Sequence, residues 1–188
     1  MIRALYIHGY NGSGYSGKAI NNMVQYYISD DVRVFTEKFS KNPEIAIRQA
    51  KDIVDNCGID CIIASSYGAF IALQIKNVCK VLINPCLYPS IELPKIDANF
   101  SFVNECKIIE NSMNLEQDKD KIYAIFSTND ELFSYKNEFK NCETFSINAK
   151  HKLTDFDLHN YLMPILTDNV IPELNLNNNF DNFNLSSI

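Results

Sequence analysis

Six short apolar segments, separated by stretches with helical periodicity, constrain the fold of this 188-residue chain most strongly. Each segment is nearly continuous in apolar or β-branched residues, which is typical of strands that are covered on both faces. Strands that alternate with helices predict right-handed crossovers, and therefore a mostly parallel six-stranded sheet within a three-layer α/β/α sandwich. The predicted strands are residues 4–7, 32–36, 61–65, 81–84, 122–127 and 143–147.

The length of the chain predicts one domain, which we assign to residues 1–172. Residues 173–188 are rich in asparagine and are expected to form a loosely ordered tail. The connection between Pro85 and Lys121 has no obvious strand, and it is either a small cap above the carboxyl ends of the strands or an ordinary long crossover.

Charge and composition argue against several classes of partner. The net charge is -6 and the basic residues are scattered, so nucleic acid is not an expected partner. No apolar run approaches the roughly 20 residues that span a bilayer, and no signal-peptide core is present, so a cytoplasmic protein without a membrane partner is expected. Six isolated cysteines predict reduced, mostly buried thiols and no metal site: Cys57, Cys61, Cys79, Cys86, Cys106 and Cys142.

Residues 60–75 carry the most informative motif, in which a strand runs through Ser66 and Gly68 into a helix-forming stretch. This layout is that of a nucleophile elbow, a sharp turn that lifts a serine hydroxyl clear of the sheet. Ala64 stands where the usual Gly-x-Ser-x-Gly pattern has its first glycine, and Ser65 fits the pattern less well because larger residues flank it. The alternative is that both serines merely end a strand and cap the next helix.

A serine nucleophile needs a base to take its proton and an acid to orient that base. Asp130 follows the predicted strand 122–127, and His151 follows the predicted strand 143–147. Because active groups gather at the carboxyl ends of strands in open α/β sheets, both residues are suitably placed. The chain order Ser66, Asp130, His151 is that of α/β-hydrolases.

Each member of this set has a simpler explanation or a rival. Asp130 could cap a helix that starts near Glu131, and His151 could be a solvated loop residue. Glu131 is the alternative acid, and His159 is the alternative base. We expect His159 to lie on an amphipathic helix, where a surface or packing role is more common.

The loop after the first predicted strand contains a His8-Gly9 pair, which is typical of an oxyanion loop. A tetrahedral intermediate needs two preorganised N–H donors, for which the backbone amides of Tyr67 and Tyr10 are the candidates. His8 and Gly9 would shape this loop, and Gly9 would permit its close approach to the oxyanion. Gly68 would shape the elbow. Without Ser66 downstream, His8-Gly9 would read as a plain turn.

A second pattern overlaps this loop. Residues 12–19 match the P-loop pattern Gly-x-x-x-x-Gly-Lys-Ser/Thr except at Ala19, which lacks the hydroxyl that would bind magnesium. A nucleotide-binding protein that uses Lys18 is therefore an alternative. The other explanation is a glycine-serine loop that enters a helix.

Several motifs together resemble the small bacterial YqiA-type esterases of the α/β-hydrolase superfamily, over Ile2 to about Leu166. They are Leu5-Tyr-Ile-His-Gly-Tyr-Asn-Gly-Ser, Ser16-Gly-Lys-Ala, Ser65-Ser66-Tyr67-Gly68, Ile83-Asn84-Pro85 and Asn129-Asp130-Glu131.

The resemblance implies a compact α/β-hydrolase fold with a minimal cap, a Ser66 nucleophile, an Asp130 orienter and a His151 base. The predicted activity is that of a serine hydrolase, a carboxylesterase or thioesterase, which cleaves small acyl esters through an acyl-enzyme. Its partner would be the ester or thioester substrate, and it would need no cofactor. A hydrolase-fold binding module without catalytic activity is a further alternative.

Overall fold

The computed structural model describes residues 1–12, 15–28, 32–115 and 120–175. Six strands form one sheet in the order β2-β1-β3-β4-β5-β6, and all five pairings are parallel. The predicted sheet is therefore confirmed. The strands are β1 (Ile2–Ile7), β2 (Val32–Thr36), β3 (Cys61–Ser65), β4 (Cys79–Ile83), β5 (Ile122–Ser127) and β6 (Glu143–Ile147).

Among the described residues, five α-helices precede the C-terminal helical segment. They are α1 (Tyr15–Tyr27), α2 (Pro43–Cys57), α3 (Tyr67–Ala72), α4 (Pro89–Ile96) and α5 (Val103–Ser112). The C-terminal segment, called the C-terminal helix below, alternates α and π turns over Asp155–Asp157, Leu158–Leu162, Met163–Ile165 and Leu166–Val170. It continues to residue 175, and most of the predicted tail, residues 176–188, lies outside the described residues.

Successive strand residues point to opposite faces of the sheet, and each face has its own apolar core. Leu5 and Ile7 of β1 pack with α2 to α5, whereas Ala4 and Tyr6 of the same strand pack with α1 and the C-terminal helix. The central strands are apolar at nearly every position because both faces are covered. This arrangement is the predicted three-layer sandwich.

The connection between Pro85 and Lys121 contains α4 and α5. Ser90 at the start of α4 donates through both its backbone N–H and its hydroxyl to the Glu110 carboxylate on α5, at 2.7 and 2.6 Å. The two helices are thus fixed to each other. The described part of this connection therefore contains a pair of packed helices.

The helix that could have started near Glu131 does not form. Asp130 Oδ1 instead accepts the backbone N–H groups of Leu132 and Phe133 at 2.8 and 3.2 Å, so the carboxylate closes a tight turn. The helical geometry that follows is one short 3-10 turn, Lys136–Glu138.

No disulfide links the six cysteines, all of which lie in the described part of the chain, and three of them, Cys61, Cys86 and Cys106, are buried. In the part of the chain that the structure describes, no helix is both long and apolar enough to cross a membrane.

The order of strands determines where a site can form. The chain passes from β1 outward to β2 and then returns to β3 on the other side of β1. Crevices in open α/β sheets lie at such a switch point, outside the carboxyl ends of the strands. Here those ends lead into the His8-Gly9 loop after β1 and into Ser66 after β3.

Candidate active site

Ser66 joins β3 to α3 with backbone angles φ 52° and ψ -121°. A residue other than glycine rarely adopts this combination, so the turn from β3 into α3 is strained at Ser66. This is the backbone geometry that a nucleophile elbow requires. Ala64 is fully buried between β1 and β4, so its methyl group is compatible with the turn. Ser65 ends β3 and exchanges a 2.9 Å hydrogen bond with the Tyr6 hydroxyl, whereas Ser66 makes no side-chain cap hydrogen bond to α3.

Gly68 and Gly9 allow the elbow to approach the loop after β1. A Cβ atom on Gly68 would lie 2.3 Å from the carbonyl oxygen of Ile7 and 2.6 Å from that of His8. A Cβ atom on Gly9 would lie 3.2 Å from Cβ of Ser66. Both glycines therefore serve close packing between β1 and the first turn of α3.

Asp130 and His151 are brought together by the ends of β5 and β6. Nδ1 of His151 lies 2.8 Å from Oδ2 of Asp130, and the side chain of Asp130 is only 3% exposed. Burial acts to raise the pKa of Asp130, but hydrogen bonds from His151 and from the backbone amides of Leu132 and Phe133 lower it below its ordinary value. The Phe133 ring packs edge-on against the imidazole, with 4.8 Å between centroids.

The rival residues occupy other places. Glu131 accepts the backbone N–H of His151 at 3.2 Å, so it contacts the loop rather than the imidazole ring. His159 is exposed on the C-terminal helix and packs against Tyr27 in a tilted arrangement, with 4.4 Å between ring centroids. The carboxylate that contacts the imidazole ring of His151 is thus that of Asp130. His159 lies at the surface, as expected.

The loop after β1 is fixed by its histidine. The Phe39 N–H donates to Nε2 of His8 at 3.1 Å, and Nδ1 of His8 lies 2.9 Å from the carbonyl oxygen of Gly9. The side chain of His8 thus holds the loop from within, and its relative exposure is 9%. His8 therefore connects the loop after β1 to Phe39, which follows β2.

Tyr10, the next residue of this loop, is anchored to the end of α4. Its hydroxyl donates to Oδ2 of Asp97 at 2.9 Å, and its ring packs edge-on against Tyr67 and Phe100. Burial and the Asp97 carboxylate raise the pKa of Tyr10 to about 12, so the hydroxyl keeps the proton that it donates. The backbone of Tyr10 is thereby fixed close to the elbow.

Ser66 and His151 line the same cavity, which has a volume of about 370 Å³. Branched aliphatic side chains form a large part of its remaining wall, beside Tyr6, Tyr10 and Lys152, and among the described residues that line it none is acidic. Seven aliphatic side chains contribute to it: Ile20, Ile83, Leu93, Ile96, Leu132, Leu153 and Leu158. This size lies within the range typical of small-molecule sites.

In the P-loop-like stretch, the glycine at position 17 is explained by packing. Gly17 lies in the first turn of α1, and a Cβ atom there would lie 2.4 Å from Cγ2 of Thr36 and 2.7 Å from Cδ1 of Tyr6. Lys18 is exposed, and residues 13 and 14 lie outside the described residues. Glycine at position 17 is thus required for α1 to pack on the sheet.

No metal site is evident in the described residues, because nowhere among them do three His, Cys, Asp or Glu side chains come together.

Sequence reasoning gave no role to Asn84, although this residue follows β4 at the centre of the site. It is 3% exposed, has φ 44°, and donates from Nδ2 to the carbonyl oxygen of His151 at 2.8 Å. The available signal was an asparagine directly after a buried strand, at the edge where active groups gather.

Solved structures with the same architecture are hydrolase-fold proteins. They include an extracellular α/β-hydrolase from a Paenibacillus species, with 7% identity, a TM-score of 0.62, and coverage of 88% of this chain and 97% of that chain. SOBER1 from Arabidopsis thaliana matches with 14% identity and a TM-score of 0.56, over 84% of this chain and 93% of its own. The thioesterase domain from the curacin biosynthetic pathway matches with 11% identity and a TM-score of 0.55, over 91% of each chain.

At these identities the likeness establishes the fold, which is that of α/β-hydrolases. No curated protein sequence matches this chain. The model of the family described as "Uncharacterised protein family (UPF0227)" matches residues 3–167, which is most of the chain. The chain therefore belongs to this UPF0227 family, the YqiA-like group within the α/β-hydrolase superfamily.

Proposed function

We propose that this protein is a serine hydrolase, a carboxylesterase or thioesterase that cleaves small acyl esters through an acyl-enzyme. One observation carries the proposal: Ser66 has the strained backbone of an elbow and lines the same cavity as His151, whose Nδ1 lies 2.8 Å from Asp130. These are the three groups that nucleophilic catalysis by serine requires, in the chain order of α/β-hydrolases.

The arrangement supports a definite assignment of proton transfers. Because Nδ1 of His151 faces the carboxylate of Asp130, the other ring nitrogen, Nε2, is the one that takes the proton from Ser66 as the hydroxyl attacks the acyl carbon. The protonated imidazole, held by the Asp130 carboxylate, then gives the proton to the leaving alcohol or thiol. In deacylation His151 takes a proton from water, which attacks the acyl carbon. The bond to Oγ of Ser66 then breaks, His151 returns the proton to that oxygen, and the acid leaves.

The oxyanion that forms in each half-reaction needs two N–H donors. We assign these to the backbone amides of Tyr67, which follows the nucleophile, and Tyr10, which lies in the loop that His8 and Gly9 bring against Ser66. Support for Tyr10 comes from the fixed loop, which is held by hydrogen bonds from Phe39 to His8 and from Tyr10 to Asp97. Preorganised donors stabilise the transition state without the cost of reorientation.

The cavity supports an apolar acyl group. Its aliphatic side chains would gain free energy by covering a hydrocarbon chain. None of its described lining residues is an acid that could pair with a cationic group, and Lys152 at its wall would repel one. A volume of about 370 Å³ suits a small acyl group better than a long lipid chain. Ile96 and Leu132 are half exposed at this cavity and extend the apolar surface towards solvent.

The decisive experiment combines labelling by a fluorophosphonate probe with hydrolysis of p-nitrophenyl acetate. Wild type should be labelled at one serine, and Ser66→Ala should be neither labelled nor active. Asp130→Asn and His151→Ala should lower the rate by at least about 1,000-fold, since a serine without an oriented base is a poor nucleophile.

Ser65→Ala is the matched control, because Ser65 lies beside the nucleophile and bonds to Tyr6. This variant should keep the labelling stoichiometry of wild type. An unlabelled wild type, or a fully active Ser66→Ala, would refute the proposal. Magnesium-dependent ATP binding that Lys18→Ala abolishes would favour the P-loop alternative, and an unreactive chain would favour the binding module.

A further inference from the structure

The end of β4 lies between the two halves of the candidate site. β4 pairs with β3, which leads to Ser66, and with β5, which leads to Asp130. Directly after β4, Asn84 has the left-handed backbone angle φ 44°, and its side chain is buried. Asparagine is one of the few residues other than glycine that tolerate this conformation.

The backbone on both sides of Asn84 holds the elbow. The N–H of Ser66 donates to the carbonyl oxygen of Ile83 at 2.9 Å, and the N–H of Cys86 donates to the carbonyl oxygen of Ser66 at 3.1 Å. Both backbone polar groups of Ser66 are therefore bonded to the segment that contains Asn84. The strained turn has a fixed position relative to this segment.

The side chain of Asn84 holds the loop that carries His151. Nδ2 donates to the carbonyl oxygen of His151 at 2.8 Å, with a longer contact of 3.4 Å to that of Lys150, and to Oγ of Ser127 at 2.9 Å. Oδ1 accepts the backbone N–H of Ser127 at 2.7 Å. Both N–H bonds and the oxygen of the amide are thus satisfied within the protein.

We propose that Asn84 is a positioning residue that sets the distance between His151 and Ser66. It does not line the cavity, so it acts through the backbone of His151 and not on the substrate. Residues 83–86, which comprise the end of β4 and the three residues after it, thereby connect Ser66 to the His151 loop. This connection is independent of the contact between Asp130 and His151. This inference rests on the proposed serine hydrolase activity.

The chemistry of position 84 explains why an amide is needed there. Aspartate has the same shape and also tolerates a positive φ, but its second oxygen would face the carbonyl oxygen of His151 without a proton to donate. Glycine would keep the backbone conformation and lose every side-chain contact. Both changes should release the His151 loop while leaving Ser66 on its elbow.

The test compares kcat and KM for p-nitrophenyl acetate in Asn84→Asp, Asn84→Gly and Ser127→Ala. Ser127→Ala is the matched control, because it removes Oγ but keeps the backbone N–H to Asn84 and the bond from Asn84 to His151. We expect both Asn84 variants to lose between about 10- and 100-fold in kcat, with little change in KM, as for a base misplaced by about 1 Å. Ser127→Ala should stay within about threefold of wild type.

A double-mutant cycle separates positioning from general damage to the fold. If Asn84 acts through His151, then Asn84→Asp should cause no further loss in the His151→Ala background, measured as the rate of fluorophosphonate labelling. An additive loss, an unimpaired kcat in either Asn84 variant, or equal losses in Asn84→Asp and Ser127→Ala would overturn the positioning role. If Asn84→Asp does not fold, Asn84→Gly decides the question alone.

The two proposals fail in distinguishable ways. A wild-type chain that is not labelled by the fluorophosphonate overturns the hydrolase activity and the role of Asn84 together. A labelled wild type whose Asn84 variants retain full kcat overturns the positioning role alone.

Discussion

Substitution of Gly68 by alanine would separate Ser66, the proposed nucleophile, from the candidate oxyanion loop. The added Cβ atom would lie 2.3 Å from the carbonyl oxygen of Ile7, and real Cβ atoms essentially never come closer than 3.0 Å to a neighbour. The contact must therefore open by at least about 0.7 Å. Both partners are backbone, since one is the first turn of α3 and the other is the end of β1, so no side-chain rotation can relieve the clash.

The displacement has two calculable consequences. Overpacking of this kind destabilises a protein by about 1–3 kcal/mol. The same shift moves Ser66 and the amide of Tyr67 away from the amide of Tyr10, and a misplacement approaching 1 Å in a preorganised site lowers kcat by up to about 100-fold. We therefore expect Gly68→Ala to fold with reduced stability and to hydrolyse p-nitrophenyl acetate at least about 10-fold more slowly.

Ala69→Gly in the same helix is the control. Ala69 is fully buried, and its replacement removes a methyl group and a helix-favouring residue, at a cost of about 1–2 kcal/mol, without forcing α3 away from β1. Urea unfolding would measure the stability of both variants, and kcat would be measured where both are fully folded. If Gly68→Ala retains the kcat of Ala69→Gly, the close approach at Gly68 has no part in the reaction.

Two further predictions concern the strained serine and the buried carboxylate. Ser66→Gly should be more stable than Ser66→Ala by about 1 kcal/mol, because glycine relieves backbone strain of roughly 1–3 kcal/mol but loses part of that gain through the larger backbone entropy of its unfolded state. Urea unfolding of the two inactive variants measures the difference. Equal stabilities would show that the turn is unstrained. Asp130 has a folded-state pKa below its ordinary value although burial acts to raise it, so its contribution to stability is present above about pH 4 and is lost as the pH falls through the folded pKa. The difference in unfolding free energy between wild type and Asp130→Asn should therefore shrink as the pH is lowered from about 6 to about 3. A difference that stays constant would contradict the lowered pKa of Asp130.

The sheet could be predicted from sequence because central strands covered on both faces are apolar at nearly every position. The prediction ended β4 at Asn84, whereas the strand ends at Ile83, since the left-handed φ of Asn84 turns the chain away from the ladder. That turn depends on contacts with Ser127 and His151, which are 43 and 67 residues away in the chain. No local pattern contains such contacts, so the sequence shows that Asn84 stands at a strand end but does not identify the partners of its side chain.

The region after β5 excludes the alternative explanation of Asp130 as a helix cap. An aspartate followed by Glu131 suggested a capped helix, but the Asp130 carboxylate closes a turn with Leu132 and Phe133 and directs its other oxygen to His151. A capping role and an orienting role begin with the same residue type at a strand end. Which of the two roles Asp130 has depends on the position of the His151 imidazole, and His151 follows β6.

The hydrogen bond from Tyr10 to Asp97 has a consequence for how the substrate range of such a protein can change. Asp97 directly follows α4, and Leu93 and Ile96 of this helix line the cavity. Lifting α4 to admit a larger acyl group would also pull on the loop that carries the Tyr10 amide. Evolution or engineering of new specificity should therefore proceed by exchange of side chains along α4, because insertions or deletions that shift the helix would sacrifice rate together with selectivity.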